Sequence, residues 1–77
     1  MAGTAHSYRY LELRQILTES RRKAGLTQAV LARRLGKPQS FVSKYECGER
    51  RLDFLELLDV AAAIGLDVST LVRRFRR

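Results

Sequence analysis

The chain has 77 residues, of which 45% are hydrophobic and 30% are charged. This length allows one domain with a thin core, since a chain of this size buries only about 60% of its unfolded surface, and the composition excludes a disordered chain. Fifteen basic and eight acidic side chains give a net charge of +7, which favours a polyanionic partner, usually nucleic acid and less often an anionic membrane surface.

The charge is unevenly distributed along the chain. Residues 21–51 contain nine basic and two acidic side chains, a net of +7, whereas residues 52–72 contain four acidic side chains and no basic one, a net of −4. We therefore expect the first segment to face phosphate and the second to face away from it.

Cysteine, histidine and the apolar segments limit the class of protein further. The single Cys47 excludes an intramolecular disulfide and fits a reducing cytoplasm; we interpret it as an inert thiol, with a redox switch or an inter-subunit disulfide as alternatives. No cluster of cysteine, histidine and carboxylates has metal-ligand spacing, so neither a metal nor another cofactor is expected. The apolar stretch 54–66 is too short to span a bilayer, and no apolar signal region precedes it, which predicts a cytoplasmic protein without a membrane partner.

The N-terminal part divides into an arm and a first helix. Residues 1–9 have no helical pattern and are predicted to form a flexible arm before a single domain, 10–77. From Tyr10 the apolar positions follow one face of a helix, which Gly25 ends.

Two short helices follow in close succession. The first covers residues 28–35, with Thr27 as its N-terminal cap and Gly36 as its stop. The second covers about residues 38–47, because Pro38 suits the first turn of a helix and not its middle.

Two further helices complete an all-α fold of five helices. The fourth begins after Asp53, which has capping-box spacing to Glu56. Its inward stripe is predicted to consist of Phe54, Leu57, Leu58, Ala61 and Ile64. The fifth helix follows Asp67, and no hairpin signal or sustained alternation indicates a strand.

The second and third helices form a candidate helix-turn-helix over residues 27–46. In such a unit the first helix lies across the DNA backbone and the second enters the major groove. The small Ala32 allows the two helices to approach closely. The outward positions of the helix that enters the groove, the third of the chain, must be polar and not acidic. They are Gln39, Ser40, Ser43 and Lys44.

The segment LTQAVLARRLGKPQSFVSKYECGER resembles the Cro and lambda-repressor-like (XRE) helix-turn-helix family. Thr-Gln, Leu-Ala, Leu-Gly, Val-Ser-Lys-Tyr-Glu and Gly-Glu-Arg occur in order and at family spacing, and the similarity extends over residues 11–72. The resemblance implies a five-helix lambda-repressor-like DNA-binding domain that is not an enzyme.

The resemblance also implies roles for individual residues. Contacts to bases are assigned to Gln39, Ser40, Ser43 and Lys44; glutamine can bond to adenine N6 and N7, and lysine can donate to guanine. Contacts to phosphate, which set register and salt sensitivity, are assigned to Gln28, Lys37, Arg50 and Arg51. Arg21 and Glu46 occupy positions that form a salt bridge in relatives.

Two residues of this segment depart from the family pattern, and two aromatic residues allow a second interpretation. Val30 stands where relatives often carry glutamate on an exposed face, and Pro38 stands where a serine or threonine cap is common. Tyr45 and Phe41 could stack on single-stranded bases. We interpret Tyr45 instead as a core residue and Phe41 as a cover for the edge of the third helix.

The acidic, apolar C-terminal part favours a second subunit. The residues expected to form the dimer interface are Leu55, Ala62, Val72 and Phe75. The leading hypothesis is a homodimeric, sequence-specific repressor that binds a partly palindromic operator in double-stranded DNA, with no control by a small molecule. The alternative is an antitoxin or adaptor that binds an unidentified protein partner, with DNA binding secondary; RNA binding is weaker because no aromatic platform is evident.

Overall fold

The computed structural model describes residues 7–76, which contain five α-helices and no strand. The helices are α1 (Tyr8–Lys23), α2 (Gln28–Leu35), α3 (Gln39–Cys47), α4 (Phe54–Ile64) and α5 (Val68–Phe75). The predicted all-α fold of five helices is confirmed. Within the described range, no helix is both long enough and apolar enough to cross a membrane.

Helix α1 begins two residues earlier than predicted. The side chain of Ser7 caps it by accepting a hydrogen bond from the backbone N–H of Tyr10 at 3.1 Å. Tyr8 and Arg9 therefore lie in α1 and not in the predicted arm. The apolar pattern missed this turn because both side chains are exposed. Residues 1–6 of the predicted arm lie outside the described residues.

A three-residue turn joins α2 to α3. Thr27 caps α2 by accepting from the backbone N–H of Val30. Gly36 ends α2 in the left-handed conformation, with φ of 67°, which glycine adopts without a steric penalty. The backbone N–H of Lys37 then donates to the carbonyl of Ala32 at 3.0 Å. Pro38 precedes α3 and offers no side-chain cap.

Tyr45 and Phe41 of α3 belong to the core. Tyr45 is fully buried and Phe41 is 8% exposed, and their rings meet edge to face with centroids 5.8 Å apart. The other large, fully buried side chains are Leu17, Leu31, Val42 and Val60. Neither aromatic ring is accessible to a nucleic-acid base in this arrangement.

The predicted inward stripe of α4 is partly wrong. Phe54 is 67% exposed, and the buried residues of α4 are Val60, Ala61 and Ile64. The buried face is rotated because α4 packs against α2 as well as α1, which draws Val60 inward. Val30 of α2 also packs against the core, so it is not the isolated surface residue that the family pattern implied.

Tyr45→Phe is expected to leave the free energy of unfolding unchanged or to raise it by up to about 2 kcal/mol. The Tyr45 hydroxyl is buried without a hydrogen-bond partner in residues 7–76, and burial raises the pKa of Tyr45. Removal of an unpaired buried hydroxyl relieves its desolvation cost. Urea denaturation measures the difference.

Tyr10→Phe is the matched control. The Tyr10 hydroxyl accepts from the backbone N–H of Leu52 at 3.2 Å and donates to the carbonyl of Arg50 at 3.5 Å. Its loss is expected to cost about 1 kcal/mol. Equal losses of stability in the two variants would show that the Tyr45 hydroxyl is bonded after all.

Candidate nucleic-acid interface

The outward face of α3 carries the four predicted base-contact residues. Gln39, Ser40 and Lys44 are exposed, and Ser43 is half-buried with its hydroxyl donating to the Ser40 carbonyl at 3.3 Å. The opposite face of the helix is buried, with Val42 fully covered. The structure thus places an amide, two hydroxyls and an ammonium on one side of a helix, and an α-helix about 10–12 Å wide matches the width of the DNA major groove.

A buried ion pair fixes the C-terminal end of α3 to α1. Arg21 Nε donates to Glu46 Oε2 at 2.7 Å and Arg21 Nη2 donates to Glu46 Oε1 at 3.0 Å, and the two side chains are only 8% and 6% exposed. Arg21 Nη1 donates in addition to the carbonyl of Leu26. The hydrogen bonds that Arg21 donates to Glu46 raise the pKa of Arg21. The salt bridge expected from the family pattern is present in the structure, with two parallel hydrogen bonds.

Gln28 joins the same network from the first turn of α2. Its Nε2 donates to Glu46 Oε1 at 3.0 Å, so this oxygen accepts hydrogen bonds from both Arg21 and Gln28. The amide group carries a second N–H, for which residues 7–76 provide no acceptor. Gln28 therefore braces α3 in the structure and retains one donor for a phosphate.

Arg14 adds a contact to α3 that the sequence analysis missed. Its Nη1 donates to the backbone carbonyl of Glu46 at 2.9 Å. Gly48, with φ of 92°, makes room for the guanidinium, since a Cβ there would lie 2.9 Å from Arg14 Nη1. The available signal was the spacing of Arg14, Leu17 and Arg21 at i, i+3 and i+7, which places both arginines on the buried face of α1.

Lys37 and Arg50, both predicted to contact phosphate, differ in their availability. Lys37 is exposed, and its ammonium lies 5.4 Å from the centre of the Phe41 ring. Arg50 lies over the same ring at 4.6 Å and forms two hydrogen bonds with Glu56, at 2.9 and 2.7 Å. Its bonds to Glu56 and to the Arg51 carbonyl occupy three of the five N–H donors of the guanidinium, so fewer donors remain for a phosphate.

The pair of Arg50 and Glu56 persists at neutral pH. The hydrogen bonds from the Arg50 guanidinium and the backbone N–H of Asp53 lower the pKa of Glu56 to about 2. Glu56 also completes the capping box of α4 predicted from the sequence, because its backbone N–H donates to Asp53 Oδ1 at 2.7 Å. Arg50 consequently braces the loop between α3 and α4.

Arg51 takes a different direction from Arg50. Its guanidinium lies 4.7 Å from the centre of the Tyr10 ring on α1, at a groove between α1, α4 and α5. The residues of the predicted dimer interface line different surface features. Val72 is 51% exposed and lines this groove with the half-buried Phe75. Leu55 is 69% exposed on α4, and Ala62 lines a separate depression.

The arrangement of α2 and α3 is that of a helix-turn-helix DNA-binding domain. A model of the helix-turn-helix family matches residues 17–71. The chain is similar to a solved structure described as an XRE-family like protein from Pseudomonas syringae pv. tomato str. DC3000, with 51% sequence identity over 92% of this chain and 87% of that chain and a TM-score of 0.86. No curated protein matched the chain. The chain therefore belongs to the XRE-type helix-turn-helix family of DNA-binding transcription regulators.

Glu46→Ala is expected to lower the free energy of unfolding by about 3–5 kcal/mol, because it leaves the buried Arg21 guanidinium without its counter-ion. This is a large share of the stability of a small domain. Urea denaturation measures the loss, with trimethylamine N-oxide present to keep the variant folded at the start of the titration.

Arg74→Ala is the control for this experiment. Arg74 Nε donates to Glu12 Oε2 at 2.7 Å, but the arginine side chain is 59% exposed. Its loss should cost less than about 1 kcal/mol. Similar costs for Glu46→Ala and Arg74→Ala would contradict the structural importance of the buried pair.

Proposed function

We propose that the protein is a sequence-specific repressor of transcription that inserts α3 into the major groove of double-stranded DNA. The observation that carries the proposal is the exposed polar face of a helix that is fixed at its base by the buried pair of Arg21 and Glu46. Gln39 and Ser40 read base edges from the first turn of α3. Ser43 and Lys44 act one turn later, on bases or on the flanking backbone.

Gln28 and Lys37 supply the phosphate contacts in this proposal. Gln28 uses the amide N–H that Glu46 leaves free, and the exposed Lys37 lies just before α3. The first backbone N–H groups of α3 have no side-chain acceptor, since Pro38 cannot cap them, and they can donate to the same phosphate backbone. Arg50 stabilises the loop between α3 and α4, and Arg51 attracts the DNA through long-range electrostatics.

The protein acts as a homodimer in the cytoplasm, where two copies bind the halves of a partly palindromic operator. The recognition helices then lie about 34 Å apart, one turn of DNA. The exposed Leu55 and Val72 support an interface on α4 and α5, with Ala62 and Phe75 at its edges. Leu55, Ala62 and Val72 belong to segment 52–72, which carries a net charge of −4, so we place this face away from the DNA.

Gln39→Ala is expected to weaken operator binding by about 1–3 kcal/mol and to relax the base preference at one position of each half-site. The operator is first obtained by selection of genomic fragments that the wild-type protein binds. Fluorescence anisotropy then measures affinity for the operator and for scrambled DNA. Absence of any sequence-specific binding at low salt would overturn the proposed function.

Lys37→Gln is the control for the base-reading role. It should weaken operator and scrambled DNA equally and reduce the slope of log K against log salt by about 0.9, the value for one phosphate contact. If Gln39→Ala and Lys37→Gln change both DNAs alike, the division between base and phosphate contacts is wrong.

Leu55→Glu is expected to raise the dissociation constant of the dimer at least roughly tenfold, because it places an unpaired charge in an apolar interface. Sedimentation velocity at micromolar concentration measures the change. Tyr8→Glu, at a residue that is 89% exposed on α1, should leave the dimer intact. A wild-type protein that remains monomeric on and off DNA would refute the proposed dimer.

A further inference from the structure

The groove between α1, α4 and α5 has the size and lining of a small-molecule site. Its volume is about 430 Å³, within the range of roughly 300–1,000 Å³ that is common for ligand pockets. Leu13 of α1, Leu57 of α4, and Val68 and Leu71 of α5 contribute apolar lining. Among residues 7–76, no aspartate or glutamate lines the groove.

Two large apolar side chains of the groove remain open to solvent. Phe54 is 67% exposed and Val72 is 51% exposed. Burial of apolar surface stabilises by about 25 cal/mol per Å², so a partner with an aliphatic body gains free energy here. Neither the apolar pattern of the helices nor the charge distribution in the sequence indicates this groove, because its lining residues come from three helices that are distant along the chain.

Two arginines supply the polar part of the groove. Arg9 lies 5.7 Å from the centre of the Phe75 ring and its Nη2 donates to the Phe75 carbonyl at 2.8 Å. Arg51 lies 4.7 Å from the centre of the Tyr10 ring. Neither guanidinium forms an ion pair with a carboxylate of residues 7–76. Both therefore keep N–H donors for an anion, and the fork of a guanidinium matches a carboxylate.

We propose that this groove binds an aliphatic carboxylate of medium chain length. The chain lies between Leu13, Leu57 and Val68, and the carboxylate bonds to Arg9 or Arg51. A second copy of the protein would bring a further Arg9 and Arg51 to the two guanidinium groups, so the proposed subunit contact at Val72 and Phe75 adjoins the groove and leaves its cationic part to a small anion. The ligand thus covers the apolar lining and pairs with one of the two guanidinium groups.

Ligand binding would also affect subunit association. Val72 and Phe75 line the groove and belong to the proposed dimer face, so a bound chain alters the surface that a second subunit meets. This consequence rests on the proposed function, whereas the binding site does not. It gives a route by which a metabolite of this class changes operator occupancy, in contrast to the sequence-based expectation of no control by a small molecule.

The test is a titration of the wild-type protein with decanoate and with decanol, followed by two-dimensional NMR. Decanoate should shift the resonances of Leu57 and Val68 saturably, and decanol should bind at least roughly tenfold more weakly, since it lacks the charge. Arg9→Gln combined with Arg51→Gln should remove this preference. Arg33→Gln, at an exposed arginine of α2, should retain it, and thermal unfolding checks that all variants are folded.

Two results would overturn the inference. Equal binding of decanoate and decanol would show an unspecific apolar surface. Groove resonances that follow protein concentration and ignore decanoate would assign the groove to a second copy of the chain. Operator binding, measured separately by anisotropy, distinguishes the two proposals: its failure with decanoate binding intact refutes only the proposed function, and the reverse result refutes only the site.

Discussion

The buried pair of Arg21 and Glu46 is the constraint on which the rest of the structure depends. One carboxylate receives hydrogen bonds from α1 through Arg21 and from α2 through Gln28, while its own residue belongs to α3. Three helices therefore meet at a single group. Because the desolvation of two charges offsets much of their attraction, such a pair contributes more to a defined geometry than to net stability. Here the geometry that it defines is the position of α3 relative to α1 and α2.

The two ends of α3 are held differently. The C-terminal turn is held by the ion pair and by the Arg14 bond to the Glu46 carbonyl. The N-terminal turn begins after Pro38 without a side-chain cap. The C-terminal end of α3 is thus fixed by side chains of the protein, whereas its N-terminal end, which meets the DNA in the proposed complex, has no side-chain cap.

The sequence predicted the parts of the structure that local rules determine. Thr27, Asp53 and the glycines after the helices mark the helix ends because their chemistry acts within a few residues. The start of α1 was missed because its first turn buries little apolar surface. Phe54 was wrongly placed in the core because an apolar stripe on a helix does not indicate which other helices pack against each of its residues.

The geometry of the candidate site could be predicted for the same reason within one helix, but not where long-range contacts determine it. The four residues of the α3 face follow from spacing within one helix, and the partners Arg21 and Glu46 followed only from the family resemblance. The engagement of Arg50 by Glu56 and Phe41 depends on how a loop folds back on α4. A list of basic residues contains no information on which of them is already paired.

Tyr10 connects the groove between α1, α4 and α5 with the loop that follows α3. Its ring lines the groove beneath Arg51, and its hydroxyl bonds to the backbone of Arg50 and Leu52 in the loop that follows α3. A substitution that enlarges the groove at this residue also releases the loop. The apolar lining residues Leu57 and Val68 make no such bond, so a change of groove shape leaves the loop in place at these positions and disturbs it at Tyr10.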